Sequence, residues 1–131
     1  MPHLRISEAA ALLGVSDDTV RRMVDSGRLG GGTDASGRRT VDGAALAAAA
    51  QELAHPAEVG LTGGASARNR MRGIITAITR DTVMAKVELQ CGPFRIVSLL
   101  SSESVDDLGL EVGGVAVASV KSTHVVVEVP A

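Results

Sequence analysis

The spacing of apolar residues changes halfway along this chain, and one layer of secondary structure cannot satisfy both patterns. In the first half Val20, Met23 and Val24 stand at i, i+3 and i+4, which makes one buried face of a helix. In the second half, TVMAKVELQ alternates: Val83, Ala85, Val87 and Leu89 share one face, and Met84, Lys86, Glu88 and Gln90 the other. Between the halves lies AHPAEVGLTGGA, Ala54 to Ala65, whose Pro56, Gly60, Gly63 and Gly64 suit a flexible linker. A chain of 131 residues is long enough for two small domains. The expected organisation is α+β with two domains, 1–53 and 66–131, joined by a linker over 54–65.

The first half reads as three helices. Ser7 can cap a helix through EAAALLG that Gly14 ends. Ser16 can cap a second, DDTVRRMVDS, with Asp17 and Asp18 in the first turn, where the helix dipole favours negative charge, and Gly27 closing it. Two short helices joined by a turn containing Gly form the helix-turn-helix pattern. GRLGGGTDASGRRT suits a hairpin or loop and ends in Arg38 and Arg39, after which Asp42 can cap a third, Ala-rich helix, GAALAAAAQEL. The second half reads as five strands, GIITAIT, TVMAKVELQ, FRIVSLLS, VAVASVK and HVVVEV, with one short helix, ESVDDLGL, ending at Gly109. That inventory fits a five-stranded β-barrel like the oligonucleotide/oligosaccharide-binding fold.

Composition narrows the partners. Aromatic residues are 1% of the chain, so bases have no stacking platform of the kind that holds single-stranded nucleic acid. The net charge of −2 provides no global basic field, so any DNA binding must use a local arginine cluster. Cys91 is alone, which excludes an intrachain disulfide and a cysteine-rich metal site; in QCGPF it reads as an inert turn residue. MPHLRISEAA lacks the apolar run of a signal peptide, and no stretch of about 18 apolar residues is present, so a soluble, cytoplasmic protein without membrane contact is expected. No nucleophile–base pair or carboxylate pair stands at a helpful position, so no enzyme is expected.

Three stretches concentrate groups that suit an anion. In SARNRMRG, Arg68, Arg70 and Arg72 precede any acidic residue until Asp81. Such charge can simply protect an edge strand, or Ser66, Arg68 and Asn69 can hold an anion through charge-assisted hydrogen bonds. Arg68 can alternatively pair with Glu103 or Asp106, and Arg70 and Arg72 read as solvent or partner contacts. LSSESV places Ser101, Ser102 and Ser104 at a helix start, where free N–H groups accept anions; ordinary capping with Asp107 uses the same residues. Lys121, Ser122 and Thr123 end a strand, and His124 beyond them reads as a surface residue.

Two resemblances organise these features. LRISEAAALLGVSDDTVRRMVDSGRL, followed by GRRTVDGAAL, resembles the excisionase-type branch of the MerR superfamily of winged helix-turn-helix domains. The resemblance implies that Ser16, Thr19, Arg21 and Arg22 read the major groove and that Arg38 and Arg39 reach phosphate or the minor groove. SARNRMRG, SSESVDDLGLEVGG and ASVKSTHVVV, in that order, resemble the molbindin (Mop or TOBE) domain. That resemblance implies a molybdate or tungstate ligand bound at subunit interfaces through Ser66, Arg68, Asn69, Ser101, Ser104, Lys121 and Ser122, in a homo-oligomer, dimeric or hexameric. The combination is similar to the parts of molybdate-dependent transcription regulators, here with one Mop module. A DNA-binding regulator responsive to molybdate or tungstate is therefore expected. The alternatives are a molbindin that stores molybdate beside an accessory helix-turn-helix domain, and an excisionase-like DNA-binding protein whose barrel only oligomerises.

Overall fold

The computed structural model describes residues 2–55, 58–60 and 64–131. The linker expected over 54–65 therefore falls partly outside the described residues, Pro56 and Gly63 included. The chain divides into two compact units, 1–55 and 56–131.

The N-terminal unit runs β1 (His3–Arg5), α1 (Ile6–Leu13), α2 (Asp17–Asp25), β2 (Gly31–Thr33), β3 (Arg39–Asp42) and α3 (Gly43–Leu53). The three strands form an antiparallel sheet in the order β1-β3-β2. Thus GRLGGGTDASGRRT is a hairpin, and its second strand also pairs with the N-terminus. Helix α1 starts two residues earlier than a Ser7 cap would place it: Arg5 is at the N-cap with no side-chain cap bond, and Ser7 lies in the first turn. The reason is tertiary. Strand β1 is pinned to β3 and Ile6 is buried, so the helix begins where the strand ends. Gly14 ends α1 in the left-handed conformation, φ 71°. Ser16 caps α2 and Asp42 caps α3 as their sequences suggest. Ile6, Ala9, Ala10, Val20, Met23, Leu29, Val41, Leu46 and Ala49 make the core. Burying side chains such as Val20 or Val41 contributes about 1.5–3 kcal/mol each.

The C-terminal unit contains β4 (Asn69–Arg80), β5 (Met84–Cys91), β6 (Phe94–Ser101), α4 (Ser102–Leu108), β7 (Val115–Val120) and a 3₁₀ turn over Ser122–His124. Its antiparallel sheet has four strands in the order β6-β5-β4-β7. Strand β4 pairs with β7 from Asn69 to Ile74 and with β5 from Ile74 to Arg80. Ile74 pairs with both partners, and a bulge between Ile75 and Ala77 follows, just inside the β5 ladder; bulges bend and twist a strand. Ile75, Ala85, Val87, Leu89, Cys91 and Val105 form the core.

Three expectations are corrected. HVVVEV is not a strand among the described residues: Val126, Val127 and Val129 are 82%, 86% and 89% exposed. Three successive valines put apolar groups on both faces, so as a strand this segment needs cover on both sides and an edge to pair with; among the described residues it joins no sheet and stays exposed. Cys91 is not in the turn but ends β5, its side chain buried against the sheet; the turn is Gly92-Pro93, with Gly92 at φ 61°. Val83 precedes β5 and is exposed, leaving Ala85, Val87, Leu89 and Cys91 as the inward face.

Gly73 sits where β4 crosses closest to β5. A Cβ there would meet Cys91 Sγ at 2.5 Å and the Gln90 carbonyl oxygen at 2.6 Å. Because one obstacle is backbone, a rotamer change cannot relieve it. Gly73→Ala is expected to destabilise the C-terminal unit by about 1–3 kcal/mol, measured as a lower urea midpoint with unchanged slope.

Candidate functional site

The residues expected to hold an anion fall into two groups. The β4–β7 ladder sets Asn69 opposite Val120, and Asn69 Nδ2 donates to the Val120 carbonyl at 3.2 Å. This brings Arg68 and Asn69 beside Lys121 and Ser122, with Ser66 just upstream, all exposed. Lys121 caps the 3₁₀ turn and its carbonyl accepts from His124 N at 2.9 Å. Neither Arg68 nor Lys121 forms an ion pair among the described residues.

The second group is at the start of α4. Ser101 Oγ accepts from Ser104 N at 3.0 Å and lies 2.7 Å from Ser104 Oγ. The cap is therefore made by Ser101 with Ser104, and Asp107 takes no part in it. Ser102 is buried and held by Arg80 at the end of β4, whose Nε donates to Ser102 Oγ at 2.8 Å and whose Nη2 donates to the Ser102 carbonyl at 2.8 Å. Two further N–H groups of Arg80 reach both carboxylate oxygens of Asp106 at 3.0 Å. Arg68 therefore does not pair with Asp106. Sequence reasoning missed Arg80; the available signal was Ser102 and Asp106, four residues apart and so on one helix face.

These groups stand at opposite ends of β4: Asn69 begins the strand and Arg80 ends it. Twelve residues of strand at about 3.3 Å each reach on the order of 35 Å when straight, and somewhat less with the bulge. One chain does not bring Arg68 and Lys121 to Ser101 and Ser104. Of the flanking arginines, Arg72 donates to the Glu58 carbonyl at 3.3 Å, tying the upstream segment to β4. Arg70 is half-buried on β4 and has no ion pair among the described residues.

In the N-terminal unit the residues expected to meet DNA cluster around α2. Ser16 Oγ accepts from Thr19 N at 3.1 Å and lies 2.9 Å from Thr19 Oγ1. Arg21 pairs with Asp18 at 3.0 Å; Arg22 is exposed and has no ion pair among the described residues. Arg39 pairs with Asp25 at 2.6 Å, linking β3 to α2, so it is engaged within the fold. Arg38 remains exposed in the hairpin, where its backbone N–H, with that of Ser36, donates to Asp34 and holds that carboxyl below its ordinary pKa. Among the described residues no group of three His, Cys, Asp or Glu side chains gathers around a cation position, and no helix is long and apolar enough to cross a membrane.

Known proteins match each half. The TOBE domain family matches residues 65–127 and the Helix-turn-helix domain family residues 4–54. Over 63 residues the chain is 36% identical to molybdenum-pterin-binding protein 3 of Clostridium pasteurianum and 38% identical to molybdenum-pterin-binding protein 2 of the same organism, each alignment spanning 47% of this chain and 93% of the relative. The solved structure of MopII from Clostridium pasteurianum aligns at 36% identity and TM-score 0.47, over 50% of this chain and 100% of that one. A molybdate-binding protein from Sporomusa ovata aligns at 32% identity and TM-score 0.48, over 50% of this chain and 97% of that one.

The Arg80–Asp106 pair gives a pH expectation. The Arg80 guanidinium bonds to Asp106 and lowers its pKa below the ordinary carboxylate value. A carboxyl lowered on folding stabilises the fold above its unfolded pKa of about 3.9, and the contribution is lost as pH falls through the lowered value. Asp106→Asn is expected to reduce the melting temperature at pH 7, and the gap to wild type is expected to close as pH falls below the ordinary carboxylate pKa of about 3.9, in melts followed by circular dichroism.

Proposed function

Because residues 65–127 make this chain a member of the TOBE domain family, with a helix-turn-helix domain over 4–54, we propose that it is a cytoplasmic, DNA-binding transcription regulator responsive to molybdate or tungstate. It binds and does not catalyse. The oxyanion is held by Ser66, Arg68, Asn69, Lys121 and Ser122 of one subunit with Ser101 and Ser104 of another. The observation that carries this reading is the placement of the two donor groups at opposite ends of β4. A tetrahedral dianion needs cations and neutral donors on several sides, and a second copy supplies the missing side. The exposed apolar segment Val125–Val129 supports self-association, because a homo-oligomer gives it both an edge and cover. The likeness to molybdenum-pterin-binding proteins favours molybdenum oxyanions as the ligand.

DNA is read by Ser16, Thr19, Arg21 and Arg22 on α2, with Arg38 at the hairpin. Arg39 is assigned here to positioning that hairpin through Asp25. One observation favours storage as the second reading: residues 1–55 carry six arginines against seven carboxylates, a weak field for DNA. A mobility-shift assay on a promoter duplex separates the two.

The ligand site is tested by calorimetry with molybdate, tungstate and sulfate. Molybdate and tungstate, nearly alike in size and charge, should bind alike, and the smaller sulfate far less. At ligand a hundredfold above its dissociation constant the fold gains about 2.7 kcal/mol. Arg68→Ala and Lys121→Ala are each expected to remove most of that thermal shift, and Arg70→Ala to leave it nearly intact. Mixing a Ser101→Ala/Ser104→Ala variant with a Lys121→Ala variant is expected to restore binding to a fraction of sites, since a hybrid interface joins the intact half of each chain. No recovery after proven subunit exchange refutes the shared site.

A further inference from the structure

The hairpin, the start of α1 and the first turns of α2 meet around a cleft of about 370 Å³. Arg5, Arg21, Arg38 and Arg39 line it, together with Ser7 and Asp17. Four guanidiniums in one concavity repel one another, and a surface that needed only solvation would spread them. Two are already committed, Arg21 to Asp18 and Arg39 to Asp25. Arg5 and Arg38 are exposed and form no ion pair among the described residues. They come from different elements: Arg5 from the junction of β1 and α1, Arg38 from the turn between β2 and β3. Two carboxylates oppose them. Asp17 lines the cleft, and Asp34 lies close enough to Arg5 and Arg38 to be affected by their charge, though its largest partner is the Arg38 backbone N–H.

We infer that Arg5 and Arg38 form a two-pronged clamp on the phosphodiester backbone of duplex DNA. The inference rests on the DNA-reading role of this unit and adds Arg5, which belongs to neither α2 nor the hairpin. Guanidinium forks match phosphate oxygens in geometry and charge. The cleft has few neutral donors or acceptors with which to read a base edge, so its contribution is to register and affinity, not sequence. Its openness suits a continuous backbone better than a small ion, which needs enclosure by several donors.

The test is fluorescence anisotropy of the full chain with a promoter duplex and an unrelated duplex, from about 50 to 200 mM salt. Arg5→Gln and Arg38→Gln are each expected to weaken both duplexes alike, about threefold to tenfold, and to lower the slope of log affinity against log salt by about one, as loss of one phosphate contact does. Arg5→Lys keeps the slope. Asp17→Asn tightens both duplexes severalfold by removing the opposing charge. Melting curves confirm that each variant is folded. If wild type binds with a clear salt slope and folded Arg5→Gln keeps that slope, the clamp is wrong and the DNA-reading role stands. If wild type binds no duplex at about 50 mM salt, the DNA-reading role itself fails and the clamp with it. If inorganic phosphate at constant ionic strength displaces DNA from wild type but not from Arg5→Gln, the cleft is a free-anion site and the inference is overturned.

Discussion

The C-terminal unit depends on one strand serving two partners in succession. Strand β4 bonds to β7 along its first half and to β5 along its second. A straight strand offers a partner on each side along its whole length; here Ile74 is shared by the two ladders, and the bulge at Ile75–Ala77 bends the backbone just beyond it. Ile75 holds the crossover, donating to the Gly114 carbonyl at 2.9 Å and accepting from Gly113 N at 2.8 Å. Gly73 permits the close approach to β5 beside it. The length of β4, and with it the separation of the two donor groups, goes with this handover.

The far end of β4 is locked differently. Arg80 spends its guanidinium on Ser102 and Asp106, and Ser102 N donates to the Val83 carbonyl at 2.8 Å. Asp81 in turn accepts from Val83 N and Met84 N, which holds its carboxyl below the ordinary pKa. The start of α4, with Ser101 and Ser104, is thus held by hydrogen bonds within the chain. The other end, with Arg68 and Lys121, is exposed, and neither forms an ion pair among the described residues. One end preorganised and the other open is an arrangement suited to completion by a second copy.

The N-terminal unit solves a charge problem of its own. With acidic residues in the first turn of α2 and at its end, two arginines are drawn into local pairs, Arg21 with Asp18 and Arg39 with Asp25. Exposed pairs of this kind contribute little stability. Their consequence is positional: Arg39 ties the hairpin to α2, and Arg22 and Arg38 are left to face outward.

Local grammar was legible wherever a residue acts on its own neighbours. Ser16, Asp42 and Ser101 cap the helices that follow them, Gly14 ends α1, and the alternation in MAKVELQC puts Ala85, Val87 and Leu89 inward. The motifs around Arg68, Ser101 and Lys121 were legible as three separate stretches. What the sequence alone could not decide lay in contacts between distant residues. Val125–Val129 has strand propensity, but a strand exists only when it pairs with an edge and is covered, and among the described residues this segment does neither. Arg80 meets residues 22 and 26 positions away, and although Ser102 and Asp106 share a helix face, nothing near Arg80 itself points to them. Arg39 looked as free as Arg38 until β3 laid it against Asp25. Short-range hydrogen bonding and periodicity are written in neighbouring residues and were determined by the sequence itself. Which charges are spent, which strand finds an edge and which donors share a surface were decided by tertiary structure, because each depends on segments that only folding brings together.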